Sequence, residues 1–362
     1  MEKPQISKFY SDILTGMKDY VRVIDPNGKV LYQNKPMTER MGDFVGRHCY
    51  ELLKQDRRCE KCVCQSRLSG DLSATRNVQI DERTYSVVSA PVQDQKGSAV
   101  EVFHDVTELT DIRDQLQRQN RQHERDLEFA KALQHKLLPA NRLYNDRVRC
   151  RSVYASADLL GGDIYDIFEL EEGRVGFYIA DVSGHGVTSS MITMFINRTL
   201  RNMGEEAQFP CKALAYLHEE YEQLNMFDQK YITILYGVYD PSDQVLRLAN
   251  GGHNCPPVLQ GPEGLNEVSV SGLPISELYG LVPCQVVEVG VKPGDRLFLY
   301  TDGIIEAKNH SGVQYGERFI KLLDKSKDKS SEEVNASIMS AVNRFTGNVI
   351  SDDMAIVALD FL

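Results

Sequence analysis

Four aspartates stand at the ends of hydrophobic, strand-like runs in the C-terminal two-thirds of the chain: Asp163 in GGDIYD, Asp181 in FYIADVSGHG, Asp302 in LFLYTDG and Asp352 in SDDMAIVALDF. A carboxylate beside a buried strand is costly unless something compensates its charge. Four of them, most followed by small or turn residues, point to hard divalent cations as the compensation. Oxygen-only ligation suits Mg2+ or Mn2+, and two such ions can activate a water against a phosphoryl group.

The elements that must position these acids lie between about Asn141 and Leu362. VRCRSVYASA, DIYDIFEL, VGFYIADV, YITILYGVYD, QVLRLANGG, CQVVEVGV, RLFLYTDG and MAIVALDF read as strands. SSMITMFINRTLRNM, CKALAYLHEEYEQLNM, ERFIKLLDKS and SEEVNASIMSAVNRF carry the apolar spacing of amphipathic helices. Helices fall between sets of strands instead of alternating with them, which favours antiparallel sheets layered with helices.

Upstream, LTDIRDQLQRQNRQHERDLEFAKALQHKLLPA has no Gly and no Pro before Pro139, so one long helix ending at that proline is predicted. Leu109, Ile112, Leu116, Gln119, His123, Asp126, Ala130, Leu133 and Leu137 follow alternating three- and four-residue steps. That stripe is apolar at both ends and polar in the middle, as in a weak two-stranded coiled coil. A single solvated connector is the alternative; the dimerising helix is the favoured reading. In the first segment, VRVIDPNGKVLYQN reads as two strands around the turn Asp25-Pro26-Asn27-Gly28. RTYSVVSAPVQDQKGSAVEVFHDVTEL reads as a second antiparallel pair, with shorter, polar, helical material between the two pairs.

The first segment resembles a PAS sensory domain, through VIDPNGKVLYQN, VGRHCYELL and the closing HDVTEL. GGDIYD, DVSGHG, YITILYGV, LANGGHN, LYTDGIIEA and SDDMAIV, taken in that order, resemble the SpoIIE-like branch of the PPM metal-dependent protein phosphatases. These resemblances imply an α+β chain: a PAS domain over 1–108, a signalling coiled-coil helix over 109–140, and a PPM-type α-β-β-α sandwich over 141–362. They also imply residue roles. Asp181 would bridge two Mn2+ or Mg2+ ions, joined by the carbonyl of Val182; Asp302 and Asp352 would share one ion; Asp163 would reach a metal through water. Asp353 is the adjacent alternative to Asp352. The implied reaction is direct attack of water on phosphorus without a phosphoenzyme, so no Cys or Ser nucleophile is required. AKALQHKLLPA matches the junction of bacterial relatives, which makes Ala130, Gln134, Leu137, Leu138 and Pro139 a coupling element between helix and phosphatase domain.

The match has departures. The eukaryotic phosphate-binding Arg is replaced by Asp158, with Arg149 and Arg151 nearby but out of register. His185 lies four residues after Asp181, where the family's acid histidine lies two after, so a loop role stands beside general acid catalysis. His253 in GGHN reads as loop architecture. GGD alone also fits a diguanylate cyclase hairpin, which explains neither TDG nor SDD.

Cys49, Cys59, Cys62 and Cys64 fall in HCYELLKQDRRCEKCVC, where Cys-x-x-Cys spacing allows Zn2+, an iron–sulfur cluster or a thiol–disulfide switch. Unliganded thiols stand on equal terms. Cys150, Cys211, Cys255 and Cys284 read as buried small hydrophobes.

The net charge of −11 argues against a nucleic-acid partner. No apolar run approaches the roughly 20 residues that span a bilayer. The N-terminus lacks a secretory h-region, so the expected compartment is the cytoplasm. The expected function is a sensor-regulated serine/threonine phosphatase acting on a phosphorylated STAS-type anti-sigma-factor antagonist, as a homodimer through the linker helix. A catalytically inactive scaffold with a PPM-like fold is the alternative.

Overall fold

The computed structural model describes residues 3–59, 74–92, 97–225, 230–276 and 284–362. The chain divides into two compact units, Met1–Gln122 and His123–Leu362.

In the first unit a helix, α1 (Lys3–Gly16), precedes an antiparallel sheet of order β2-β1-β5-β4-β3. Its strands are β1 (Tyr20–Ile24), β2 (Val30–Gln33), β3 (Ala74–Ile80), β4 (Arg83–Pro91) and β5 (Ala99–Asp105), with α2 (Lys35–Met41) after β2. The β1–β2 turn closes as its residues dictate. Asp25 accepts from the Gly28 and Lys29 backbone N–H groups, and Gly28 has φ +78°. Asn34 caps α2, its Oδ1 accepting from Met37 N, while its Nδ2 donates to Leu14 O and so ties α1 to the sheet. The reading of the material between the two strand pairs as helical needs correction at β3. There Val78 and Ile80 alternate inward against Met37 and Leu52, an alternation too brief in a polar stretch to stand out in the sequence. Helix α1 was not anticipated either.

The long helix α3 runs Thr107–Leu137, starting two residues before the sequence reading and stopping ahead of Pro139. Its first turn is fixed by Asp105, whose Oδ1 accepts from the Thr107 backbone and hydroxyl.

The second unit is a sandwich of two antiparallel sheets, of order β14-β11-β10-β9-β8 and β13-β12-β15-β16-β7-β6. The first holds β8 (Asp163–Glu169), β9 (Val175–Val182), β10 (Ile232–Asp240), β11 (Val245–Gly251) and β14 (Val287–Gly290). The second holds β6 (Leu143–Tyr144), β7 (Val148–Ala155), β12 (Val258–Gly261), β13 (Gly264–Glu267), β15 (Arg296–Tyr300) and β16 (Met354–Phe361). Helices α4 (Val187–Arg201) and α5 (Pro210–Gln223) cover the first sheet; α7 (Arg318–Asp324) and α8 (Ser331–Thr346) cover the second. A single turn, α6 (Asp302–Ile305), follows β15. Hence the order of layers is α-β-β-α. The hairpin β12–β13 and the turn α6 were not read from the sequence.

Period-two alternation sorts the strand residues. Tyr165, Ile167, Phe177 and Ile179 face the other sheet, while Ile164, Phe168, Tyr178 and Ala180 face the helices. Both sets are buried, so β8 and β9 are buried on both faces. Truncating a wholly buried Ile179 to Ala would cost about 2–5 kcal/mol. Local signals are equally plain in α8, where Ser330 and Glu333 form a capping box and Gly347, at φ +69°, ends the helix.

The scattered cysteines require a correction. Cys211 and Cys284 form a disulfide with Cα atoms 5.6 Å apart, while Cys150 and Cys255 are buried thiols, as expected. Seventy-three residues of sequence separation hid that pair. No helix among the described residues is long and apolar enough to cross a membrane.

Candidate metal centre

Asp163 opens β8 and Asp181 lies near the end of β9, and the β8–β9 register sets the two directly opposite one another. Each is an even number of residues from inward-facing neighbours, so both carboxylates point into the end of the sandwich. Asp302 reaches the same end as the first residue of α6, and Asp352 and Asp353 reach it just ahead of β16. Asp181, Asp302 and Asp353 raise the Asp163 carboxyl, and Asp302, Asp352 and Asp353 raise that of Asp181, which places the group within electrostatic reach.

Burial pushes the Asp163 carboxyl well up, and the Asp181 charge adds to it. The Asp181 carboxyl is pushed up to about 7, by burial first and then by Asp302, Asp352 and Asp353. Burial likewise raises Asp352 and Asp353. Among the described residues, none of these five acids forms an ion pair with Lys, Arg or His; Asp158 and Asp166 nearby do.

The final pair of acids divides its tasks. Asp353, 7% exposed, accepts from the backbone N–H of Ala157 at 2.9 Å and of Gly162 at 2.5 Å, which pins the loop before β8. Asp352 is exposed, its Oδ1 accepting from Asp353 N. Asp302 Oδ2 accepts from Asn254 Nδ2 at 3.1 Å; Thr301, whose Oγ1 accepts from Ala355 N at 2.9 Å, partly offsets the upward push on the Asp163 carboxyl. Asn254 and Thr301 were missed in the sequence, although both stand in quoted motifs, GGHN and YTDG. Their reach to an acid depends on strands far apart in the chain.

The donor set fits a hard cation on three observations. Asp163 Oδ2 is buried without a hydrogen-bond partner. A Cβ placed on Gly162 would lie 2.8 Å from Val182 O, 3.0 Å from Gly184 O and 3.5 Å from Asp181 Oδ1, so the glycine keeps open a cradle walled by oxygens. All of these donors are oxygens, as Mg2+ and Mn2+ prefer. Among the described residues no three acid, His or Cys side chains are yet gathered around one point. The oxygens ring the end of the sandwich without converging on it.

The two histidines part ways. His185 is exposed and pairs through Nδ1 with Asp158 Oδ2 at 2.9 Å. His253 is buried, its Nε2 3.0 Å from Tyr300 O and its backbone N–H donating to Asn250 Oδ1. Arg149 and Arg151 lie along β7, with Arg151 facing Glu332.

At the end of α3, Gln134 is 3% exposed. Its Nε2 donates to Gly161 O at 2.8 Å and to Thr193 Oγ1 at 3.1 Å, and its Oε1 accepts from Gly161 N. The helix is therefore bonded two residues from Asp163. Leu138 packs against the cores on both faces of the first sheet, and Leu137 and Ala130 are half-buried. In the first unit, Cys49 is buried and Cys59 half-buried against Gln55 and Arg76; Cys62 and Cys64 lie outside the described residues.

Comparison with known proteins agrees with this architecture. The family described as Stage II sporulation protein E (SpoIIE) matches residues 171–362, and the PAS domain family matches residues 18–108. Phosphoserine phosphatase RsbP of Bacillus subtilis is 30% identical over 186 residues, covering 50% of this chain and 45% of RsbP. Phosphoserine phosphatase RsbU of the same organism is 22% identical over 238 residues, covering 65% of this chain and 69% of RsbU. The chain thus spans less than half the length of RsbP. Among solved structures, the SiaA-PP2C domain of Pseudomonas aeruginosa shares the fold, with TM-score 0.57 and 19% identity over 67% of this chain and 98% of that domain.

Proposed function

The chain belongs to the SpoIIE family, with a PAS domain ahead of the matched region, and on that premise we propose that it is a metal-dependent phosphoserine/phosphothreonine protein phosphatase. The observation that carries the reading is the set of mutually repelling carboxylates, buried at Asp163 and Asp353 and half-buried at Asp181 and Asp302, around the oxygen-walled cradle at Gly162. Asp181, the Val182 carbonyl, Asp302 and Asp352 would hold two Mn2+ or Mg2+ ions, with Asp163 as an outer contact. When bound, such ions supply an acidified water and neutralise phosphate charge. The protein's own part is to orient these oxygens. Asn254 steadies Asp302, and Asp353 fixes the loop that carries Gly162.

The substrate in this reading is a phosphorylated STAS-domain protein of a partner-switching pathway, in keeping with the likeness to RsbP and RsbU. The division into a PAS-like sensor over 1–108, a linker helix over 109–140 and a phosphatase domain over 141–362 is part of the proposal. The chain would pair through α3, which exposes Leu109, Ile112, Leu116 and Leu133. Repacking of that helix would act on the site through the Gln134–Gly161 bonds, provided the helix has two discrete packings. The cytoplasm is the proposed compartment, although the Cys211–Cys284 bond is unusual for a reducing one. Thiol alkylation before and after reduction, on protein taken from cells, decides that point. Metal analysis and visible absorbance of anaerobically purified protein decide among zinc, an iron–sulfur cluster and free thiols at Cys49, Cys59, Cys62 and Cys64.

The test of function is Mn2+-dependent phosphate release from candidate phospho-STAS proteins by the full chain. Loss of activity in Asp181→Asn and Asp302→Asn, by about a thousandfold (roughly 4 kcal/mol in the barrier), is expected. Full activity in EDTA, or in both variants, overturns the proposal.

A further inference from the structure

The loop Val182–Gly186, between β9 and α4, presents backbone oxygens at the site, and an amino group holds it from beside. Lys230 Nζ donates to Ser183 O at 2.8 Å and to Ser189 Oγ at 3.1 Å. Ser189 is wholly buried, and its hydroxyl is also 3.4 Å from Ser183 O. The lysine is itself fixed, because the buried Tyr221 hydroxyl donates to Lys230 O at 3.0 Å. The backbone on either side is tied as well: Ser183 N donates to Tyr231 O, and Tyr231 N donates to Ser183 Oγ. Gly184, at φ +79°, has its open side filled by this ammonium, and a Cβ there would sit 2.9 Å from Nζ. Of three successive carbonyls, the middle one is bonded to Lys230, while those of Val182 and Gly184 both come within 3.0 Å of the Cβ position of Gly162.

We propose that Lys230 is a positioning residue of the metal site, holding the Ser183 carbonyl so that the Val182 and Gly184 carbonyls face the cradle beside Asp181. The inference rests on the proposed metal-dependent function. It runs against simple electrostatics, and this makes it testable. Removing a positive charge beside an acidic cation site should tighten cation binding, whereas releasing a wall of the site should weaken it.

The measurement is Mn2+ affinity by calorimetry on the full chain, with melting of the metal-free protein as a second readout. Lys230→Met is expected to weaken Mn2+ binding by about tenfold or more, with metal-free melting little changed, and Lys230→Arg to recover most of the loss. Ser189→Ala, which leaves the lysine in place, should show a smaller loss in the same direction and serves if Lys230→Met does not fold. Affinity that is unchanged or tighter in Lys230→Met, or in Ser189→Ala if only that variant folds, overturns the inference and leaves the phosphatase reading intact. Wild-type protein that binds no Mn2+ overturns both.

Discussion

The two units each bury a carboxylate on a sheet, and they treat it in opposite ways. Glu101 on β5 is 3% exposed and faces Arg22 across the β1–β5 pair, with Nε 2.7 Å from Oε2. Asp163 on β8 is 2% exposed and faces another carboxylate, Asp181, across the β8–β9 pair. A third case sits three residues from Asp163 on the same strand. Asp166, turned to the helical face, is gripped by the Arg201 guanidinium at 2.6 and 2.7 Å and by Asn197. The fold therefore neutralises a buried acid where the acid serves the architecture. Where it leaves buried acids facing one another, their charge is relieved by bound protons or, on the proposed function, by a cation.

This contrast can be broken most forcefully at the compensated pair. Arg22→Met removes the guanidinium that faces the buried Glu101 carboxylate, and should cost about 3–5 kcal/mol in urea unfolding of the full chain. A loss near zero would mean that Glu101 is not neutralised by its partner. At the uncompensated site the expected stabilisation comes from outside. Mn2+ at about a hundred times its dissociation constant should stabilise the protein by about 2.7 kcal/mol, seen as a raised melting temperature that EDTA reverses. Asp163→Asn removes one repelling charge, so it should stabilise the metal-free protein by about 1 kcal/mol or more while weakening Mn2+ binding. The corresponding change at the paired acid, Asp166→Asn, should destabilise instead.

A further effect is expected in pH. The carboxyls of Asp163, Asp181, Asp352 and Asp353 titrate above their ordinary range in the folded chain, Asp181 at about 7. The folded state then holds more protons than the unfolded one, so these groups favour folding at low pH and their contribution is lost as pH rises through about 7. The metal-free protein should melt progressively lower from pH 5 to pH 7.5, and saturating Mn2+ should flatten that slope. An equal slope with and without Mn2+ would detach the titration from the metal centre.

Much of the architecture was legible because its signals are local. The Asp25–Gly28 turn, the stop of α3 before Pro139, the apolar spacing of α8 and the strands flanking Asp181 and Asp302 each depend on residues a few positions apart. Strand β3 escaped because two inward apolar residues in a polar stretch make a weak pattern, and the Cys211–Cys284 bond because no local signal links residues so distant. The first unit also hid its buried ion pair. Arg22 and Glu101 look like ordinary surface charges until the β1–β5 register sets them face to face.

By itself, the sequence determined where the acids stand: at strand ends, with small residues beside them and apolar alternation that fixes which face each strand buries. The tertiary structure decided how they act together. It set Asp163 against Asp181 by register, brought Asp353 onto Gly162 across 191 residues of sequence, and laid Lys230 against Ser183. The reason is physical. Side-chain periodicity depends on neighbouring residues, whereas register and sheet-to-sheet placement follow from packing two sheets around one shared core, a property of the whole unit.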